Sequence, residues 1–481
     1  MIYQLPKKLI AMTIIRIDAF VLILLLLLPC LDCTSQTIPR ALVISFDGFR
    51  YNYPNLSITP TLEEIKMEGT HAEFMCNVFE TKTFPNHHSI ATGLYPDFHG
   101  VIANSFYDPH YNKVLKYSQE MWEFSDQILP IWIHNEDQGS ERHSGVYMWP
   151  GSNYKYRNKY PTHVEPFNSS TPWHERVDTV VNWFLDPDSP ANFVMMYFEE
   201  PDAHSHKFGP DSEEVKEQIK KIDRTVSYLR QSFYQKNLTD TVNVIFLSDH
   251  GMAAVPPQNL INVTDLLKSY GDHCIVAGTS PVLHIIPKTN IEEEVYTALK
   301  KLSENNQFAV YRKNELPPEW LYAHNRRIPP IMIVANNGYA FDDIRVNGTK
   351  MYGVHGYDNR LTDMHPFFMA YGPNIKKNYT IEPFNSVDLF SLFCAVLNLQ
   401  MVSTNGTVDH VKEMLVPAVF PMSSVAITMA SLFILLMGCL AAVLIKNLYT
   451  QYLLRRYDSS NGFSVSKEFE NIHLLDSDDM E

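Results

Sequence analysis

The stretch Ala41-Leu-Val-Ile-Ser-Phe46, running into Asp47-Gly48, is the first of three built alike. Val242-Asn-Val-Ile-Phe-Leu247 runs into Ser248-Asp249-His250-Gly251, and Asn192-Phe-Val-Met-Met-Tyr-Phe198 into Glu199-Glu200-Pro201-Asp202. Each run is short, mostly apolar and rich in β-branched or aromatic side chains, the pattern of a strand buried on both faces. Around them, Pro60–Gly69, Ser212–Gln231 and Ile291–Ser303 carry apolar residues at helical spacing. This alternation predicts an α/β fold, a mainly parallel sheet flanked by helices. Ligands of such sheets lie outside the carboxyl ends of the strands, so Asp47, Asp202 and Asp249 should meet at one rim. The aromatic, Pro- and Asn-rich segment Tyr147–Pro172 reads as a long insertion over one face of the sheet.

Three histidines accompany the acids: His250, His206 and His355, the last in Gly353-Val-His-Gly-Tyr-Asp-Asn359. Asp and His without cysteine are oxygen and nitrogen ligands for a catalytic divalent ion, zinc foremost. Six such groups exceed the needs of one ion, and two ions would use them naturally. Taken singly, an Asp after a strand caps a turn and a lone His is hydrogen-bonded core. The joint pattern carries the reading. Thr83, in Glu80-Thr-Lys-Thr-Phe-Pro-Asn-His-His-Ser89, is the candidate nucleophile. Pro85 suits a first helical turn, placing Thr83 where free N–H groups favour an anionic phosphate. A threonine hydroxyl attacks only when deprotonated, which a nearby cation promotes. Without the ligand pattern, Thr83 would read as a plain helix cap.

The whole chain has 481 residues, 39 Lys+Arg against 54 Asp+Glu, a net charge of −15 and 45% hydrophobic content. That composition excludes disorder for the bulk of the chain and disfavours a nucleic-acid polymer as partner. An apolar run at Ala19–Leu31 follows Lys7, Lys8 and Arg16, is too short to span a bilayer, and is followed by small residues. Residues 1–35 therefore read as a signal peptide and 36–420 as a single catalytic ectodomain. Val425–Ile445 is uncharged, long enough to cross a membrane and flanked by Lys446, which predicts one type I transmembrane helix and a cytosolic tail, 446–481. Glycosylation sequons begin at Asn55, Asn168, Asn237, Asn262, Asn347, Asn378 and Asn405, all before that helix. Of the cysteines, Cys76, Cys274 and Cys394 fall in the ectodomain, an odd number that leaves at least one free or paired with another chain. In the tail, Glu470-Asn-Ile-His-Leu474-Leu475 fits an acidic dileucine sorting motif, the partner of an endocytic adaptor.

At Ser45–Arg50, Lys82–Gly100, Glu199–Pro210, Ser248–Met252 and His355–Asn359 the chain resembles the ectonucleotide pyrophosphatase/phosphodiesterase family, within the alkaline-phosphatase-like superfamily. Among its branches it is most similar to members 4 and 5. The resemblance implies two zinc ions, one held by Asp47, Thr83, Asp249 and His250, the other by Asp202, His206 and His355. It implies that Asn104 donates to a phosphate oxygen, and that Phe84 and Phe167 clasp a nucleotide base. Ser205 stands where many relatives have Gly, which implies a small loop adjustment with metal binding retained. The activity implied is hydrolysis of extracellular dinucleotides or nucleoside phosphodiesters at the plasma membrane through a threonine-linked intermediate. Two alternatives stand beside it: a choline-phospholipid phosphodiesterase, and a non-catalytic adhesion or signalling protein on the same scaffold.

Overall fold

A computed structural model describes residues 38–417 and 424–460. The three long apolar runs form adjacent parallel strands, Arg40–Phe46 in the middle with Phe193–Phe198 on one side and Val242–Leu247 on the other. All six residues of each outer strand are buried, as a mostly apolar sequence requires of a sheet covered on both faces. Among the described residues the sheet has eight strands: Tyr379–Ile381, Thr70–Ala72, Phe368–Tyr371, Val242–Leu247, Arg40–Phe46, Phe193–Phe198, Ser144–Tyr147 and His163–Glu165, in that spatial order. Phe368–Tyr371 runs antiparallel to both of its neighbours, and the other pairings are parallel. The sheet is thus mixed, with a parallel centre.

Register aligns the ends of the central strands. Ser45 lies opposite both Tyr197 and Leu247, so the residues that follow leave the sheet at one level. Helices Pro60–Glu68 and Trp173–Phe184 each pack on Glu213–Gln235, and Thr83–Thr92 packs on Leu389–Leu397. The expected helices at 60–69, 212–231 and 291–303 are present as Pro60–Glu68, Glu213–Gln235 and Glu292–Ser303. Ser212 caps the longest of them, its hydroxyl accepting from the Val215 N–H. The Tyr147–Pro172 segment departs from expectation. It extends the sheet, because His163–Glu165 pairs with Ser144–Tyr147 as the edge strand.

A second hydrophobic core was not anticipated. It is built on a four-stranded antiparallel sheet, ordered Cys274–Thr279, Val282–Pro287, Ile331–Ala335, Phe308–Arg312, with Val295 and Leu299 of helix Glu292–Ser303 in its interior. After the cap, Tyr352–Val354 pairs antiparallel with Ala253–Val255 in a small two-stranded sheet of their own. Cys76, Cys274 and Cys394 are all unpaired. All seven sequon asparagines are exposed.

The C-terminal helix is a separate unit, Ser424–Ser460, and Ser431–Arg456 within it is long and apolar enough to cross a membrane. The helix continues past Lys446 into the stretch read as tail. The signal segment 1–35 and the sorting motif Glu470, Leu474 and Leu475 lie outside the described residues.

Candidate active site

Asp47 and Gly48 follow the central strand directly. Gly48 has φ +67°, and a Cβ there would come within 3.0 Å of Asp202 Cβ. Only glycine allows this turn to bring Asp47 and Asp202 so close. The Asp202 N–H in turn donates to the Asp47 carbonyl at 3.1 Å. Asp202 opens the helix Asp202–Phe208 and His206 follows one turn later on the same face. Ser205 is buried in that helix, its hydroxyl donating to the Pro201 carbonyl at 2.8 Å. The Ala253–Val354 pairing carries His355 back beside His250, and Gly353 lets the returning strand pass against the Ser205 backbone.

Two groups of ligand atoms result. In one, His250 Nε2 lies 3.3 Å from Asp47 Oδ1, 3.1 Å from Asp249 Oδ2 and 3.4 Å from Thr83 Oγ1. In the other, Asp202 Oδ1 lies 3.3 Å from His206 Nε2 and 3.5 Å from His355 Nε2, and the two nitrogens are 3.2 Å apart. Within each Asp/His group all ligand atoms fall within 4.8 Å of one another.

The environment of these atoms fits cations. Asp47 Oδ1, Asp202 Oδ1 and Asp249 Oδ2 are buried without a hydrogen-bond partner, a costly state unless something positive meets them. Each histidine spends Nδ1 on a carbonyl: His206 on Gly353, His250 on Gly251, His355 on Thr81, at 2.8 to 2.9 Å. That bond places the proton on Nδ1 and leaves Nε2 as a lone-pair donor, the arrangement of metal-ligating imidazoles. Burial first, then the charges of Asp249 and Asp202, push the Asp47 carboxyl well above the ordinary carboxylate range. Burial, then His250, hold His355 well below the ordinary imidazole range, so it is neutral.

Thr83 is the first residue of helix Thr83–Thr92 and is 8% exposed. The loop before it is fastened on several sides. Asn86 reaches back to Val78, Glu80 and Lys82. Lys82 Nζ donates to the Ser280 carbonyl of the cap at 2.7 Å, and burial pushes its ammonium down to about 8. Asn104 Oδ1 accepts from the Phe84 N–H at 2.8 Å, which fixes the amide and leaves its NH2 to donate. Phe84 packs with Tyr117 and Trp122, ring centroids 5.3 and 5.7 Å away. Phe167, 55% exposed, lies 6.2 Å from the Tyr197 ring.

Tyr197 was not found by sequence reasoning. Its hydroxyl donates to Asp47 Oδ2 at 2.5 Å. Inside an apolar strand it reads as core, and no local signal marks it.

The family model for type I phosphodiesterase / nucleotide pyrophosphatase matches residues 41–358. The chain belongs to this family. Human ectonucleotide pyrophosphatase/phosphodiesterase family member 5 is 38% identical over 391 residues, 79% of this chain and 80% of that protein. Human bis(5'-adenosyl)-triphosphatase ENPP4 is 36% identical over 455 residues, 93% of this chain and 95% of that protein. Among solved structures, an inactive threonine-to-alanine variant of the murine member 5 in complex with AMP superposes with TM-score 0.72 at 38% identity, covering 79% of this chain and all of that one. As a nucleotide pyrophosphatase/phosphodiesterase the chain is a hydrolase, built on the alkaline-phosphatase-like fold of a metallo-phosphodiesterase.

Proposed function

We propose that this protein is a cell-surface, two-zinc phosphodiesterase that cleaves dinucleotides such as diadenosine triphosphate through a covalent intermediate on Thr83. The observation that carries the reading is the pair of ligand groups with unpartnered carboxylate oxygens, one of them beside Thr83 Oγ1. Asp47, Thr83, Asp249 and His250 would hold one ion and Asp202, His206 and His355 the other. When bound, the ions supply positive charge that favours loss of the Thr83 proton and offsets the charge gathering on the phosphoryl oxygens. Thr83 Oγ forms a bond to phosphorus as the bond to the departing phosphate oxygen breaks, that oxygen keeping the electron pair. A water oxygen then displaces Thr83 from the same phosphorus, releasing a 5'-nucleotide and returning a proton to the hydroxyl. The Asn104 NH2 donates to a non-bridging oxygen, while Phe84 and Phe167 flank the base.

The relatives support the substrate class. One is named a bis(5'-adenosyl)-triphosphatase, and the murine structure pairs AMP with an inactivating loss of a threonine. No observation favours the choline-ester or the non-catalytic alternative. For topology, the reading is a signal peptide at 1–35, an ectodomain at 36–420 glycosylated at its exposed sequons, a type I span at 425–445 and a cytosolic tail at 446–481. The tail would meet an endocytic adaptor through Glu470, Leu474 and Leu475. The test is zinc-loaded full chain in detergent with diadenosine triphosphate. AMP and ADP in equal amounts are expected, with none from Thr83→Ala; turnover by that variant within tenfold of wild type contradicts the role of Thr83.

A further inference from the structure

The two ligand groups differ in access. Asp47, Asp249 and His250 are enclosed, whereas the His206 side chain is 45% exposed. Thr83 belongs to the enclosed side. In phosphoryl transfer the attacking and leaving oxygens stand roughly in line across phosphorus. Attack from Thr83 therefore drives the leaving group towards the Asp202–His206–His355 side, where the site opens.

Beside His206 on that side is a cavity of about 460 Å³, which Lys207, Phe208, Ile344, Val346 and Tyr352 also line. Its walls combine exposed apolar surface with one cation. Phe208 is 43% and Val346 64% exposed, and both line this one cavity. The rim is held in place: the Tyr352 hydroxyl donates to the Val346 carbonyl at 3.0 Å and accepts from its N–H at 3.1 Å. Aromatic and aliphatic surface next to a lysine suits a base and a polyphosphate together.

We infer that this cavity is the leaving-group subsite, taking the departing nucleoside diphosphate of a dinucleotide, with Phe208 against its base and Lys207 on its phosphates. The inference rests on the phosphodiesterase reading above and adds a second recognition site to it. Substrate choice then depends on both halves of the molecule, which a site contacting only the retained nucleotide would not produce.

The experiment compares diadenosine triphosphate with the 4-nitrophenyl ester of 5'-TMP, whose leaving group carries neither a second base nor a polyphosphate. Phe208→Ala and Lys207→Ala should each lower kcat/KM for the dinucleotide roughly tenfold, the scale of losing one stacked base or one charged contact, and affect the nitrophenyl ester much less. Binding gives a second readout. In the Thr83→Ala background, the same changes should weaken diadenosine triphosphate about tenfold by calorimetry while AMP affinity stays within about twofold. Equal losses on both substrates, or unchanged dinucleotide affinity, overturn the subsite and leave the phosphodiesterase reading standing. Failure of the wild-type protein to cleave either ester overturns both.

Discussion

The imidazoles of His250 and His355 lie face to face, ring centroids 3.6 Å apart and 14° from parallel, although they belong to different ligand groups. The contact means the two groups share a wall. Asp202, by contrast, turns its carboxylate to His206 and His355. Asp202→Asn should therefore remove one zinc equivalent of two, while His355→Ala lowers occupancy of both sites. Elemental analysis of the purified proteins distinguishes these outcomes. An Asp202→Asn protein that keeps both equivalents and full activity contradicts the assignment.

Tyr197 orients Asp47 through its hydroxyl. Partners of this kind typically contribute ten- to a hundredfold in metal affinity. Tyr197→Phe should accordingly lower zinc affinity by about that factor, with little change in thermal stability of the zinc-free protein. Competition with a chromogenic chelator measures the first and calorimetry the second. An unchanged zinc affinity would show that the hydroxyl has no role in holding Asp47.

The strand ends were legible in sequence because each acid follows a mostly apolar run within four residues, and the register sets the ends of those runs level. His355 was legible as a residue, but its route into the site was not. The strand that delivers it, Tyr352–Val354, is three residues long and pairs with an equally short partner, too little for periodicity to register. The same brevity hid the edge strand His163–Glu165 inside an aromatic loop. The cap escaped because its strands are only five or six residues long and what sets them apart from the main sheet is their antiparallel pairing, a long-range property that composition does not carry. Tyr197 and Lys82 were invisible as site residues for a different reason. Their partners, Asp47 and Ser280, are far away along the chain.

Phe167 is exposed beside Tyr197, while Phe84 is packed among Tyr117 and Trp122. Base stacking contributes about 1–3 kcal/mol. Phe167→Ala should weaken hydrolysis of adenine dinucleotides roughly ten- to hundredfold and that of a small aryl phosphate ester much less. Steady-state kinetics on the two substrates checks this; matched losses would assign Phe167 to support of the fold.

Leu474→Ala with Leu475→Ala should raise surface abundance and slow internalisation, leaving ectodomain activity unchanged, since two leucines fill an apolar adaptor pocket. Antibody uptake in transfected cells measures the rate. Identical rates for the two forms remove the sorting role.

The central claim is that Thr83 carries the nucleotide between two displacements at phosphorus. Each in-line displacement inverts configuration, so two in succession restore it. The direct measurement is hydrolysis, in oxygen-18 water, of a nucleoside phosphorothioate diester of known configuration, followed by stereochemical analysis of the released 5'-phosphorothioate. Net retention is the predicted result; net inversion would mean that water attacks the substrate directly and that no intermediate forms on Thr83.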